Sequence, residues 1–323
     1  MHIALNIFLL LLGFVVLVQS AKLFVNASVG IAKHLRIPNM VIGLTVVAMG
    51  TSAPELMISV SAAIGGSGDL AVANVVGSNI FNLLFIVGFC ALLYPIDIQL
   101  RTIARDYWVS AAATVLLLVI VIIFRDTIPR FGSFILLAGF VIYMTFLVRH
   151  TMKNKIADDN APQDGDPQSN VKPKPLALNI FLAFLGAALI VIGGQITVQS
   201  AVNIALAVGV TERVIGLTIV AMGTSLPELV TMLIACRKRE GEFALGFIIG
   251  SSIFNIMFVL GSAGLITPLA VEHGVLYDLT VLTVGTLAFF LFAYSGKRIV
   301  RLEGLAMVLM YVVYMFFLLS ATI

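Results

Sequence analysis

Charge is what this chain has least of: Asp, Glu, Lys and Arg make up 11% of its 323 residues, against roughly a quarter in an ordinary globular protein. So few charges exclude a water-soluble fold of this size and indicate an integral membrane protein. Cysteine is scarce as well. Cys90 and Cys236 lie far apart, within or at the end of apolar runs, which excludes a disulfide framework and leaves packing as their reading. The four histidines, His2, His34, His150 and His273, sit at the ends of apolar runs. No nucleophile and base fall together inside a run, so the chain is expected not to be an enzyme. Ten-residue alternation of apolar and polar residues is missing, which excludes a transmembrane barrel. No basic leader precedes the first apolar run at Ile3 and no small-residue cleavage site follows it, so that run is expected to be a retained span.

What is abundant is apolar sequence, 60% of the chain. It falls into ten runs long enough to cross a bilayer as helices: Ile3–Ser28, Pro38–Gly65, Leu70–Tyr94, Tyr107–Phe124, Phe131–Val148, Leu176–Val208, Arg213–Cys236, Phe243–Ile266, Val275–Tyr294 and Leu302–Ser320. The expected fold is therefore an all-α polytopic membrane protein. One stretch breaks the pattern. Residues 150–175 read "HTMKNKIADDNAPQDGDPQSNVKPKP", the polar, proline-rich composition of a flexible tether. Its aspartates do not have the spacing of a calcium-binding loop.

The tether separates two copies of one design. At a constant offset of 173 residues, Leu5-Asn6-Ile7-Phe8 matches Leu178-Asn179-Ile180-Phe181, Gly43 matches Gly216, Glu55 matches Glu228, Ser78 matches Ser251 and Pro95 matches Pro268. The expected organisation is a first repeat over 1–149, the tether over 150–175 and a second repeat over 176–323. Five spans per copy is odd, so the second copy enters the membrane inverted. Basic residues agree: of 19 Lys and Arg, 15 fall in the loops after spans one, three, five, seven and nine, and only Arg125, Arg130 and Arg213 in the others. That bias places the tether in the cytoplasm and both termini outside, in a multi-pass cell inner (plasma) membrane protein. Lys22, inside the first span, reads as a snorkelling or cavity-edge residue, and Trp108 as an interfacial anchor.

Chemistry concentrates in two duplicated motifs. "AMGTSAPEL" in span two and "AMGTSLPEL" in span seven each put a proline and a glutamate inside an apolar helix. Proline removes a backbone donor and Gly50 or Gly223 loosens the helix upstream, so helices two and seven are expected to be broken there, freeing carbonyls. "GSNIFN" and "GSSIFN" in the following spans bring Ser78 with Asn82, and Ser251 with Asn255, four apart on one helix face. Two carboxylates, hydroxyls, amides and carbonyls make an all-oxygen set suited to a hard cation such as Ca²⁺, without the thiolate or imidazole that zinc or copper prefers. An ionised carboxylate at mid-bilayer costs at least about 2.5 kcal/mol, so Glu55 and Glu228 are expected to face each other or a water-filled cavity. Repulsion between them would make the empty site the poorest state to carry across, which gives obligatory exchange. Interrupted helices meeting at the midplane of an inverted repeat are the build of secondary transporters. The same symmetry occurs in channels.

With these residues in place, the chain resembles the cation/calcium exchanger superfamily, in the compact prokaryotic form of its sodium/calcium exchanger branch, over both halves. The resemblance implies alternating access and exchange of several Na⁺ for one Ca²⁺, with no cofactor beyond the transported ions. It implies Ca²⁺ ligands at Thr51, Glu55, Thr224 and Glu228. It implies Na⁺ ligands at Thr51, Ser52, Ser78, Thr224, Ser225 and Ser251 and at the carbonyls of Ala48 and Ala221, with Asn82 and Asn255 lining the site. Spans one and six correspond to the family's sliding pair. Asn255 stands where the potassium-dependent branch has an acid, so K⁺ is not expected to be carried, and Ser252 replaces the usual Asn. Partners are the two ions and the lipid bilayer; no nucleic acid and no obligatory protein partner is expected. The alternatives are a proton-coupled cation/Ca²⁺ exchanger, since both glutamates could carry protons, and a cation channel.

Overall fold

The computed structural model describes residues 2–98, 100–124, 127–158, 175–208, 221–271, 273–296 and 298–322. Lipid offers backbone groups no hydrogen-bond partners, so long apolar runs must satisfy them within helices. Eight single helices among the described residues are long and apolar enough to cross a membrane, and Asn39–Thr51 with Ala53–Ile64, bent by 49°, meet the same criterion only when taken together. The remaining expected span, Arg213–Cys236, starts outside the described residues; its described part is Ala221–Gly223 followed by Leu226–Arg237. The protein is a multi-pass helical membrane protein. The helix that opens at Arg130 runs on to Asp158, into the stretch read as tether, and residues 159–174 lie outside the described ones.

The helices His2–Leu35 and Leu176–Ala207 are the longest, with 34 and 32 residues. At 1.5 Å per residue each is about 50 Å long, more than the ~30 Å hydrocarbon core needs, so each tilts or projects beyond it. They pack on each other, and glycines let the backbones meet: a Cβ on Gly193 would lie 2.8 Å from the Leu17 nitrogen, and one on Gly13 would lie 2.9 Å from the Thr197 nitrogen. The buried centre of the bundle is the helix from Gly241, whose Gly246 and Gly250 press on the backbone of Met40 and Leu44. The apolar side chains left exposed, such as Phe8, Ile142 and Phe316, face outward where lipid would be. Cys90 lies beside Cys236, both buried and free, so the two packing cysteines that sequence separates are neighbours.

Two short ribbons mark the ends of the bundle, and the all-helical expectation missed them. Ile96–Asp97 pairs with Arg298–Ile299, and Thr127–Ile128 pairs with Leu269–Ala270. The helix Leu100–Ile123 runs between them, so they lie at opposite ends. Gly241 abuts Asp97 in the first ribbon, whereas Gly68 abuts Leu269 in the second. The turns after the two glutamate-bearing helices, at Gly65–Ser67 and Lys238–Glu240, therefore emerge at opposite ends.

Candidate ion-binding site

Both glutamate motifs break their helices at the serine. Thr51 ends one helix, Ala53 begins the next, and Ser52 between them has φ −84°, ψ 11°. Ser225 adopts nearly the same conformation, φ −92°, ψ 10°, ahead of Leu226–Arg237. This is the sparsely populated bridge region, common at functional sites. Pro54 and Pro227 then sit in a first helical turn, where no backbone donor is needed, so proline restarts the helix instead of kinking it. Glu55 and Glu228 fall in the same first turns, where the unpaired N–H groups and the helix dipole favour a carboxylate.

The two halves hold each other's carboxylates. Ser52 Oγ donates to Glu228 Oε1 at 3.1 Å and Ser225 Oγ donates to Glu55 Oε1 at 3.3 Å. Both glutamates are 0% exposed and close enough to repel one another. Thr51 lies beside Glu228, its hydroxyl 3.2 Å from the Val47 carbonyl. Ser251 joins from the neighbouring helix: its Oγ is 2.7 Å from Ser52 Oγ and accepts from Asn82 Nδ2 at 3.4 Å. Ser78, one turn before Asn82, is buried as well. The Ala48 carbonyl accepts the Ser52 N–H at 3.1 Å. Thr224 lines the cleft described below, and Ala221 opens the short helix that leads to it.

Polar satisfaction is incomplete at one place in particular. Buried side-chain oxygens without a hydrogen-bond partner include Glu55 Oε2, Glu228 Oε2, Ser78 Oγ, Asn82 Oδ1 and Asn255 Oδ1. Native interiors leave few such groups, and each is costly, so a cluster of five oxygens with lone pairs to offer fits a desolvated cation bound as a transported substrate. No cluster of three or more His, Cys, Asp and Glu exists among the described residues, so the set is hydroxyls and amides around two acids.

A cleft approaches the two motifs from one end. About 1090 Å³ in volume, it is lined by Pro54, Thr224 and Pro227 of the two motifs and by Asn6, Gly65 and Asn203. Asn6 lies in the first turns of the first helix and Gly65 in the turn beside the Thr127–Ala270 ribbon, so the cleft lies toward that end.

The sequence matches the model of the family described as sodium/calcium exchanger protein over residues 5–149 and 178–320. The chain belongs to that family. Among its relatives, this exchanger-family protein is 40% identical to the putative antiporter CaxA of Alkalimonas amylolytica over 96% of the chain and 98% of CaxA. It is 34% identical to the sodium/calcium exchanger MaX1 of Methanosarcina acetivorans over 97% of the chain and 98% of MaX1. Its fold superimposes on a solved structure of the sodium-calcium exchanger NCX_Mj with a TM-score of 0.82 at 30% identity, covering 96% of this chain and 98% of that one.

Several residues of this exchanger's site escaped the sequence reading. Asn79 Oδ1 accepts from Asn255 Nδ2 at 3.3 Å, and its own Nδ2 reaches the Ser252 carbonyl at 3.5 Å, tying the two serine-bearing helices together. Its position inside "GSNIFN", opposite Ser252 in the other copy, was the available signal. Asn74 donates to the Glu55 carbonyl at 3.3 Å and to Ser59 Oγ at 3.0 Å. Phe247 and Met232 stand at the corresponding places in the second half, so the repeat pattern conceals that pair. Wide π-helical turns at Phe81–Ile86 and Phe254–Val259 begin within each serine motif and take in Asn82 and Asn255, with Phe81 stacked on Phe85 and Phe254 on Phe258. Such turns recur at functional sites.

Proposed function

We propose that this protein is a secondary antiporter that exchanges Na⁺ for Ca²⁺ by alternating access. The observation that carries the reading is the pair of fully buried glutamates, each held through one oxygen by a serine of the other motif and each with its second oxygen unpartnered. Ca²⁺ is assigned to Thr51, Glu55, Thr224 and Glu228. Na⁺ is assigned to Thr51, Ser52, Ser78, Thr224, Ser225 and Ser251 with the Ala48 and Ala221 carbonyls, and Asn82 and Asn255 line the site. Two negative charges in a desolvated pocket repel until cations neutralise them, so the loaded site is the one that can be turned between faces. Family membership and the sodium/calcium exchange for which MaX1 and NCX_Mj are named support this choice of ions.

The architecture proposed with it is ten spans in two inverted halves, 1–149 and 176–323, joined by a cytoplasmic tether over 150–175, with both termini outside the cell inner membrane. The family's two matched stretches, which begin 173 residues apart, support the repeat, and the equivalent turns after the glutamate helices, which emerge at opposite ends, support its inversion. The asymmetry of Lys and Arg supports the orientation.

The test is ⁴⁵Ca²⁺ uptake into vesicles at fixed pH, driven by an outward Na⁺ gradient. Uptake that follows Na⁺ and stops without a counter-ion supports exchange. Uptake that ignores Na⁺ and follows a pH jump would instead assign proton coupling, and steady uptake with no trans ion would assign a channel.

A further inference from the structure

The two entrances implied by the repeat differ in this structure. At the open one, Ile58, Gly65 and Gln199 line the cleft. Moving each by 173 residues gives Thr231, Lys238 and Asn26 at the opposite end. There Thr231 is fully buried, and Lys238 Nζ donates to Asn26 Oδ1, joining the turn after the Glu228 helix to the first long helix. Asn6 and Asn26 are twenty residues apart on that helix, about 30 Å, so cleft and bond sit at its two ends.

The surroundings of the bond make it breakable. Its acceptor is a neutral amide, so it has no full ion-pair attraction. Lys22, one turn before Asn26, is close enough to repel Lys238, and partial burial together with Lys22 lowers the Lys238 ammonium from its usual range against the pull of Glu240. Glu240 is itself occupied by Asn39 Nδ2 at 2.9 Å, which anchors the turn from the other side. Gly65 and Gln199 could form no comparable bond, because glycine brings no side chain.

We propose that Lys238, bonded to Asn26, is a latch that holds the second entrance shut and so biases this exchanger toward opening at the cleft face. It acts as a positioning residue: it touches no ion and sets which way the site faces. The inference rests on the alternating-access reading above. A single exposed, charge-assisted hydrogen bond shifts such an equilibrium on the order of 5-fold.

The test reads the two entrances directly. In a Cys90→Ala, Cys236→Ala background, Ile58→Cys and Thr231→Cys serve as reporters for a membrane-impermeant thiol reagent applied from each face. Lys238→Ala and Asn26→Ala should each raise Thr231→Cys labelling about 5-fold from the Lys238 face and lower Ile58→Cys labelling from the other, while Lys238→Arg keeps the starting rates. Unchanged Thr231→Cys labelling in both variants overturns the latch. So does a rise at both reporters, which marks a loosened fold. Labelling needs no transport, so a protein that shows no Na⁺-driven Ca²⁺ flux sinks the exchange reading separately.

Discussion

Glu228 takes the Ser52 hydroxyl at 3.1 Å, so the carboxylate of one half is held by the helix break of the other. Ser225 returns the contact to Glu55. Neither glutamate is positioned by its own motif alone, and a cation placed between them would be bound by both halves at once.

Neutralising either acid removes a charge and leaves its shape. Glu55→Gln and Glu228→Gln are each expected to lower Na⁺-driven ⁴⁵Ca²⁺ flux by ~100-fold or more, because charge count sets calcium affinity in oxygen sites. Both variants should elute as the parent does on size exclusion. Parent-like flux in either one would remove that residue from the site.

The two serines are unequal. Ser52 contacts both Glu228 and Ser251, whereas the bond of Ser225 to Glu55 is longer. Ser52→Ala leaves two buried groups short of a partner, at about 1–3 kcal/mol, or roughly 5- to 150-fold in apparent Ca²⁺ affinity. Ser225→Ala should lose less, about 5-fold. Calcium titrations of flux rank them, and a larger loss at Ser225 contradicts the geometry.

Close helix contact depends on Gly250. A Cβ there would lie 2.5 Å from the Leu44 carbonyl oxygen and 2.6 Å from its Cα, and backbone cannot move aside as a flexible side chain can. Gly250→Ala is expected to destabilise by about 1–3 kcal/mol through overpacking. A lower melting temperature in detergent checks this.

Asn255 keeps the site free of a third acid. Its Nδ2 donates to Asn79 Oδ1 at 3.3 Å, so Asn255→Asp would set a carboxylate against an acceptor and lose that donor. A flux loss of ~10-fold or more at neutral pH is expected. The parent's flux should be equal in K⁺ and choline media, and severalfold stimulation by K⁺ would contradict the assignment.

How far the chain could be read follows from where its information sits. The spans were legible because a bilayer forces backbone bonding inside each helix, so apolar length alone marks them. The helix breaks were legible because Pro54 and Pro227 act on their own neighbours. The short ribbons, the Asn74–Ser59 pair and the adjacency of Cys90 and Cys236 were not, since each joins segments that no periodicity links.

By itself the sequence determined that two copies of one motif would bury two acids among hydroxyls and amides: lipid tolerates such groups only in pairs or around a polar cavity, and the 173-residue repeat supplies the second copy. The tertiary structure decided which serine serves which glutamate, that Asn79 bridges to Asn255, and that a cleft lies at one end while Lys238 bonds Asn26 at the other. Those outcomes depend on contacts between halves more than 150 residues apart along the chain, where nearly equal local sequences settle into unequal neighbours.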